Sequence, residues 1–517
     1  MIPELTGFYI HLPDSMPDVA LENLERCLQN LNEFRSRISE KHSTVRLQND
    51  RVVMRKHRAL GPVENDLNVQ VLELPDDPYD ALKSLLAKEE LPVDDLNSRM
   101  ETMAYFHGLF PLLDLELSLD LLGRHAEFLS SYTYAENVPP GMTPDYVASE
   151  FFELDKRPEG DIRSFVFKNF HELDAEVAFY QPDLRIHRLQ LNSLDHRSVK
   201  TEQSISRGLH KCGLPQSLTG LRDLIHQQPE VIRIGPSYLE VELCSDSPVK
   251  DKLQLPAGEG RLSQDQRNSI LKGLDQCIQR DVTICLGGLG DSGSDSDAPQ
   301  FALDLLQHMA VKQVIVETYG YDLQSWIHYL SGNAERAGQV DTKRRLSFIV
   351  RLCSLRSDRY EHFYSGGDLN RLLAELDAVS DFLKAGKGPG FSIFLEMQKI
   401  QEVEDEIHEF FQKYDPTVFT PILRKQNTYA GALEDRKVAD LTPPIRGFCW
   451  HLARDLYINS SGEIPVCRQV PDGGSAPLDI EQAFRENEQN YLHSMKGQHS
   501  KIPAPCLQCD EWYLFQG

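Results

Sequence analysis

The chain has 517 residues, too many for one ordinary core, so two to four domains are expected. Its 40% hydrophobic and 26% charged residues are those of a globular protein, which excludes collagen-like, disordered and membrane-spanning classes. A net charge of −25 excludes a nucleic-acid partner, because phosphate binding needs a basic face.

The amino terminus, Met1 to His11, has no basic segment followed by an apolar one, so neither secretion nor a membrane anchor is indicated and a cytoplasmic protein is expected. Ten cysteines scattered over the chain make no disulfide framework, which suits a reducing compartment. Residues 1–215 read as a first α/β domain. Gly7 to Leu12 predicts a buried strand, Val19 to Phe34 an amphipathic helix, and Asn68 to Leu74 another strand. The run Gly108-Leu109-Phe110-Pro111-Leu112-Leu113-Asp114 then precedes a helix reaching His125. This half resembles the nucleotidyltransferase fold of cytidylyltransferases that activate acidic sugars, where a strand ends in Gly-Asp-x-Pro-Leu-x-Asp. The resemblance implies a degenerate domain: Leu109 stands where the magnesium-binding Asp would be, and an apolar side chain cannot ligate a hard cation. It implies a unit that binds a sugar, a nucleotide or a protein without transferring a nucleotide. A plain α/β scaffold is the alternative.

The polar stretch Asn192 to Leu218 reads as a domain linker. From there strands and helices alternate across residues 230–440. Strands are predicted at Ser237–Leu243, Asp281–Leu286, Gln313–Thr318, Leu346–Ser354, Phe391–Met397 and Thr417–Leu423, with helices between them. Six such repeats predict a parallel sheet with helices outside, and the chain length favours a partial (β/α)6 barrel of TIM type. Glu240 and Glu242 share one face of the first strand, as a carboxylate pair or as partners of arginines. After the second strand comes a Gly-rich turn, Gly287-Gly288-Leu289-Gly290-Asp291, whose glycines let backbone approach a ligand closely.

Residues 441–517 carry the most specific pattern. Cys449 is followed by Leu456–Asn459, the turn Ser460-Ser461-Gly462 and Glu463–Cys467, predicted to form a β-hairpin that returns Cys467 beside Cys449. A helical spacer leads to the Cys-x-x-Cys of Cys506 and Cys509. Four thiolates suit an iron–sulfur cluster or a tetrahedral zinc. The order Cys, twelve residues, Gly, four residues, Cys, then Cys-x-x-Cys-Asp-Glu-Trp-Tyr resembles the SPASM domain of radical S-adenosylmethionine (SAM) enzymes, and the whole layout looks like the spirochaete-type SPASM proteins.

That resemblance implies one 4Fe–4S cluster on Cys449, Cys467, Cys506 and Cys509. It also implies three cysteines after the first barrel strand, where this chain has Ser247, Asp251 and Gln254; Cys244 sits too early and reads as packing. Gly287, Gly288, Gly290 and Asp291 would occupy the cofactor turn, Asp291 replacing the family's glutamate. Without iron to chelate its methionine end, SAM is a doubtful cofactor. Three readings follow: a cluster-binding protein without radical chemistry, acting in electron transfer or binding a partner; an enzyme modifying a peptide or sugar; and a structural zinc scaffold. Whether the chain is an enzyme stays open, and so does the choice among protein, peptide and sugar partners.

Overall fold

The computed structural model describes residues 2–41, 46–47, 51–63, 67–86, 99–154, 156–158, 160–277, 279–333, 345–385, 391–471 and 478–513. It is α/β throughout and divides into two compact units, Met1–Ile234 and Gly235–Gly517. Among the described residues no helix is long and apolar enough to cross a membrane.

The first unit is built on a mixed sheet. Its strands are β1 (Ile2–His11), β2 (Arg46–Leu47), β3 (Val52–Arg55), β4 (Val69–Leu72), β5 (Arg99–His107), β6 (Tyr132–Ala135), β7 (Asp145–Ala148) and β8 (Ala175–Ala178), in the order β4-β3-β1-β5-β7-β6-β8 with β2 alongside β1. β1 runs parallel to β3 and β5, whereas β7 is antiparallel to β5 and β6. Gly108 follows β5 with φ +85°, and a side chain there would strike the Asn192 carbonyl, so the turn requires glycine. Leu109 beside it is fully buried, and Asp114 caps the helix Leu115–Phe128 by accepting from Leu117 N at 3.1 Å.

The stretch read as a linker is not one. His196–Cys212 and Leu218–Gln227 are helices, the first opened by a capping box between Asp195 and Ser198 and closed by Gly213 at φ +62°. Val199, Ile205 and Leu209 supply a buried stripe, enough to hold an otherwise polar helix against the unit. The same helix buries Glu202, whose carboxylate accepts from Ser193 N at 2.7 Å, Ser193 Oγ at 2.6 Å and Asn23 Nδ2 at 2.7 Å. Burial outweighs these bonds and pushes Glu202 up to about 8. An acid raised in the folded state is protonated there while the unfolded chain has already ionised. The first unit should therefore lose stability as pH climbs from about 4.5 and level off above about 8, by an amount of order 4 kcal/mol. Amide exchange in the helix His196–Cys212 should register that loss, and Glu202→Gln should flatten it; a wild-type slope surviving in the variant would assign the titration elsewhere.

The second unit carries a parallel sheet of β9 (Tyr238–Val241), β11 (Val282–Leu286), β12 (Val311–Thr318), β13 (Leu346–Arg351), β15 (Ser392–Lys399), β16 (Phe419–Lys425) and β17 (Asp455–Ile458). Two further short strands, β10 (Lys250–Asp251) and β14 (Tyr364–Ser365), pair with each other outside it. The six predicted strands are all present, adjacent in chain order and parallel. Crossover helices such as Ala298–Gln307 and Leu369–Lys384 account for that order. The seventh strand departs from expectation. β17 does not pair with a returning hairpin arm; it lies parallel to β9, Tyr457 opposite Glu240. The turn after it forms as read, with Gly462 at φ +86° and Asn459 N donating to Glu463 O at 3.0 Å, but Glu463–Cys467 is not a strand. An open edge on β9 is satisfied better by a full parallel ladder than by a two-strand hairpin.

Candidate functional site

Side chains alternate along a strand, and the pairing register puts Glu240, Glu317, Arg351, Glu396, Arg424 and Tyr457 on one face of the second sheet. They form a buried ionic network. Arg351 donates to Glu317 at 2.6 Å, Arg424 to Glu317 at 3.2 Å and to Glu396 at 3.1 Å. Arg468, from beyond the turn, donates to Glu240 at 2.6 Å and to the Gly288 carbonyl at 3.2 Å. Burial works to raise Glu317, but the three guanidinium groups overcome it and hold that carboxyl well below the usual range. Glu240, with Arg468 as its main cation, stays raised by burial. Glu240 and Glu242 are thus not a free carboxylate pair: the first serves Arg468, and the second accepts from Tyr457 O–H at 2.5 Å and Leu289 N at 2.9 Å.

The Gly-rich turn is occupied by the protein's own atoms. A Cβ at Gly290 would lie 1.9 Å from the Cys244 carbonyl oxygen, and one at Gly288, whose φ is +120°, would lie 2.8 Å from Glu242 Cβ. Gly287 packs on Glu317. Asp291 is buried, its Oδ1 accepting from Gly293 N at 3.1 Å and Tyr319 N at 3.4 Å, and burial raises its carboxyl above the ordinary range. Ser247, Asp251 and Gln254 are likewise committed. Ser247 Oγ donates to Val249 O at 2.8 Å, Asp251 accepts from Tyr319 O–H at 2.9 Å, and Gln254 donates to Leu289 O at 2.7 Å while accepting from Arg351 at 3.2 Å. Cys244 is buried at the strand's end with its thiol pushed up to about 11 by burial.

The four carboxyl-terminal cysteines are free thiols of the same unit, Cys449, Cys506 and Cys509 buried and Cys467 half-buried. Cys449 opens the short helix Trp450–Arg454; its N–H donates to Ser494 Oγ at 2.9 Å, and Trp450 N to Trp512 O at 3.0 Å, so two distant segments are stitched to it. Cys506 begins a tight turn that Cys509 N closes by donating to Cys506 O at 3.3 Å. Glu511 N donates to the Cys509 sulfur at 3.4 Å. Phe448, Leu452, Tyr491 and Trp512 pack around Cys449. Burial raises all four thiols, Cys449 to about 12 and Cys509 to about 11. The charges of Cys449, Cys506 and Cys509 each push Cys467 further in the same direction, so the four groups stand within one another's electrostatic range. The donor set is all sulfur, which suits an iron–sulfur cluster or a tetrahedral zinc. It is not drawn together for chelation: among the described residues no three or more His, Cys, Asp or Glu side chains are assembled to hold a metal ion.

The sequence did not single out several residues grouped near Cys467 and Arg468. His451 lies on Asp455 at 2.6 Å and against the Glu511 carbonyl at 3.1 Å, and Lys425 pairs with Glu511 at 2.7 Å. His451, Asp455 and Glu511 line a small cavity of ≈ 30 Å³ together with Cys467 and Arg468. The i,i+4 spacing of His451 and Asp455 was the available signal.

No protein-family model matches the chain. An uncharacterized protein of Treponema pallidum (strain Nichols) is 26% identical over 372 residues, which span 68% of this chain and 98% of that one. Among solved structures, Streptococcus suis SuiB bound to its precursor peptide SuiA aligns at a TM-score of 0.38 with 12% identity, over 61% of this chain and 83% of SuiB. BtrN in complex with AdoMet and 2-DOIA aligns at 0.34 with 11% identity, over 52% and 89%. anSMEcpe with AdoMet and the Cp18Cys peptide aligns at 0.33 with 12% identity, over 54% and 88%. Scores below 0.5 transfer neither fold nor chemistry, and function has to be read from this chain's own residues.

Proposed function

We propose that the chain is a cluster-binding protein of the radical SAM/SPASM type in which Cys449, Cys467, Cys506 and Cys509 hold one 4Fe–4S cluster and radical chemistry is absent. The division would be a nucleotidyltransferase-like domain over 1–215, a partial barrel over 230–440 and a SPASM domain over 441–517. One observation carries this reading: four free thiols from three separated segments stand within one another's electrostatic range, beside apolar and aromatic side chains. Bound there, a cluster would supply one-electron transfer.

The chain's own groups would set its environment. Glu511 N–H donates to the Cys509 sulfur, and such a bond favours the more negatively charged, reduced form. Arg446 donates to the Cys509 carbonyl at 3.3 Å and lies over the Trp512 ring at 5.8 Å, bringing positive charge close to the thiols. The commitments of Asp251, Gln254 and Asp291 to internal hydrogen bonds support a sheet that has no SAM chemistry. A net charge of −25 supports partners other than nucleic acid, and the cytoplasm suits four reduced thiols.

Anaerobic reconstitution of the full chain tests this. A brown protein with about four irons per chain is expected, and Cys506→Ser with Cys509→Ser should abolish both colour and iron. A colourless protein holding stoichiometric zinc would establish the structural zinc scaffold instead. About eight irons, half of them surviving loss of the four thiols, would reveal a second cluster and revive the enzyme that modifies a peptide or sugar.

A further inference from the structure

The first unit contains a cavity of ≈ 540 Å³ for which the four-cysteine reading has no use. It opens where β5 ends, between the segments carrying His107, Thr143, Asp145, Asp161, Arg163 and Asn192. That volume suits a small organic ligand, and the carboxyl end of parallel strands such as β1 and β5 is where α/β sheets bind them.

The wall chemistry narrows the class. His107 is exposed to the cavity, and its Nδ1 lies 2.6 Å from the Tyr105 hydroxyl. Burial lowers His107 and raises Tyr105, so both are neutral near pH 7. The Tyr105 phenol is buried with no other acceptor among the described residues, so it donates to Nδ1, which leaves the imidazole N–H on Nε2. Asn192 donates to the His107 carbonyl at 3.2 Å, while its Oδ1 is a buried acceptor without a partner. Asp161 and Gln190 add an exposed carboxylate and an exposed amide.

Arg163 is the one lysine or arginine among the described lining residues, and its Nε and Nη2 are already paired. It grips Asp145 with two bonds, at 2.9 and 2.5 Å, while Tyr132 O–H donates to the same carboxylate at 2.6 Å. Two carboxylates against one guanidinium leave the described lining net negative, which disfavours a phosphate or a carboxylate ligand. What remains is an N–H donor, an amide, and acceptors spaced around apolar walls of Leu194, Pro78 and Pro140. Alternating hydrogen-bond donors and acceptors with C–H faces match an uncharged polyol.

We infer that this cavity binds a neutral carbohydrate unit, held by His107, Gln190, Asp161 and Asn192. The inference concerns a different unit from the cysteines, so its failure leaves the cluster reading untouched. The test uses the full chain and saturation-transfer NMR with glucose, galactose, mannose, N-acetylglucosamine and lactose, and with cytidine monophosphate and inorganic phosphate as anionic probes. At least one of the sugars should bind with a dissociation constant of about 10 mM or tighter. His107→Ala and Gln190→Ala should each weaken it by about tenfold; Gln190→Ala, at an exposed side chain, should do so with thermal unfolding unchanged, whereas His107→Ala also removes the acceptor of the buried Tyr105 phenol and lowers the unfolding temperature. Absence of sugar binding, sugar binding indifferent to both substitutions, or preference for either anion would overturn it.

Discussion

Arg468→Ala is expected to destabilise the second unit by roughly 3–5 kcal/mol, the range for leaving one member of a buried ion pair behind. Arg468 is only 13% exposed and Glu240 only 7%, so solvent cannot take over the lost partner. The guanidinium also donates to the Gly288 carbonyl and, at 3.2 Å, to the Tyr429 hydroxyl, which lose their bonds as well. All three tryptophans, Trp326, Trp450 and Trp512, lie in this unit, so their fluorescence in urea reports its unfolding separately from the first. Burial already raises Glu240, and without Arg468 it rises further. The folded variant would then bind a proton that the unfolded chain has released, and its deficit should grow as pH rises above the ordinary glutamate range of about 4.5. Adding Glu240→Gln should recover most of the stability and remove that pH dependence. An Arg468→Ala protein with an unchanged urea midpoint would mean that the network contributes no net stability.

The six parallel strands were legible because a strand covered on both faces must be apolar almost throughout. Val282 to Leu286 and Val314 to Thr318 are buried without a break apart from the half-buried Ile315, and runs of that kind leave few alternatives. The ionic network on one face was not legible. Glu317, Arg351 and Arg424 come from three strands, Arg468 from beyond a seventh, and each alone reads as an ordinary surface charge. β17 was misread because local turn chemistry at Gly462 was correct while its partner, β9, lies more than two hundred residues earlier. The helix His196–Cys212 was missed for the opposite reason. Its polar surface hid a short buried stripe, although Asp195, Ser198 and Gly213 were the usual marks of a start and a stop. Of the proposed ligands, Cys506 and Cys509 carry the clearest local signal, since Cys-x-x-Cys sets two sulfurs on one turn, but the stitching of Cys449 to Ser494 and of Trp450 to Trp512 depends on tertiary contacts that no spacing reveals.

Gly290→Ala separates packing from ligand binding in the turn after β11. The added methyl carbon would lie 1.9 Å from the Cys244 carbonyl oxygen, which belongs to a backbone held by Ser245 N donating to Gly260 O at 2.9 Å and Asp291 N donating to Asp246 O at 2.9 Å. Backbone fixed at both sides cannot yield as a flexible side chain would, so the substitution should cost roughly 3 kcal/mol or more, at the high end of overpacking. A turn shaped for a cofactor would behave differently: the ligand-free protein would tolerate a methyl group and only binding would suffer. The discriminating measurement is the urea midpoint of ligand-free protein followed by tryptophan fluorescence. A large fall with no ligand present would assign the glycines of 287–290 to the close approach of β9, β11 and their loops. An unchanged midpoint would return them, with Asp291, to the role that the resemblance to SAM-binding turns implies.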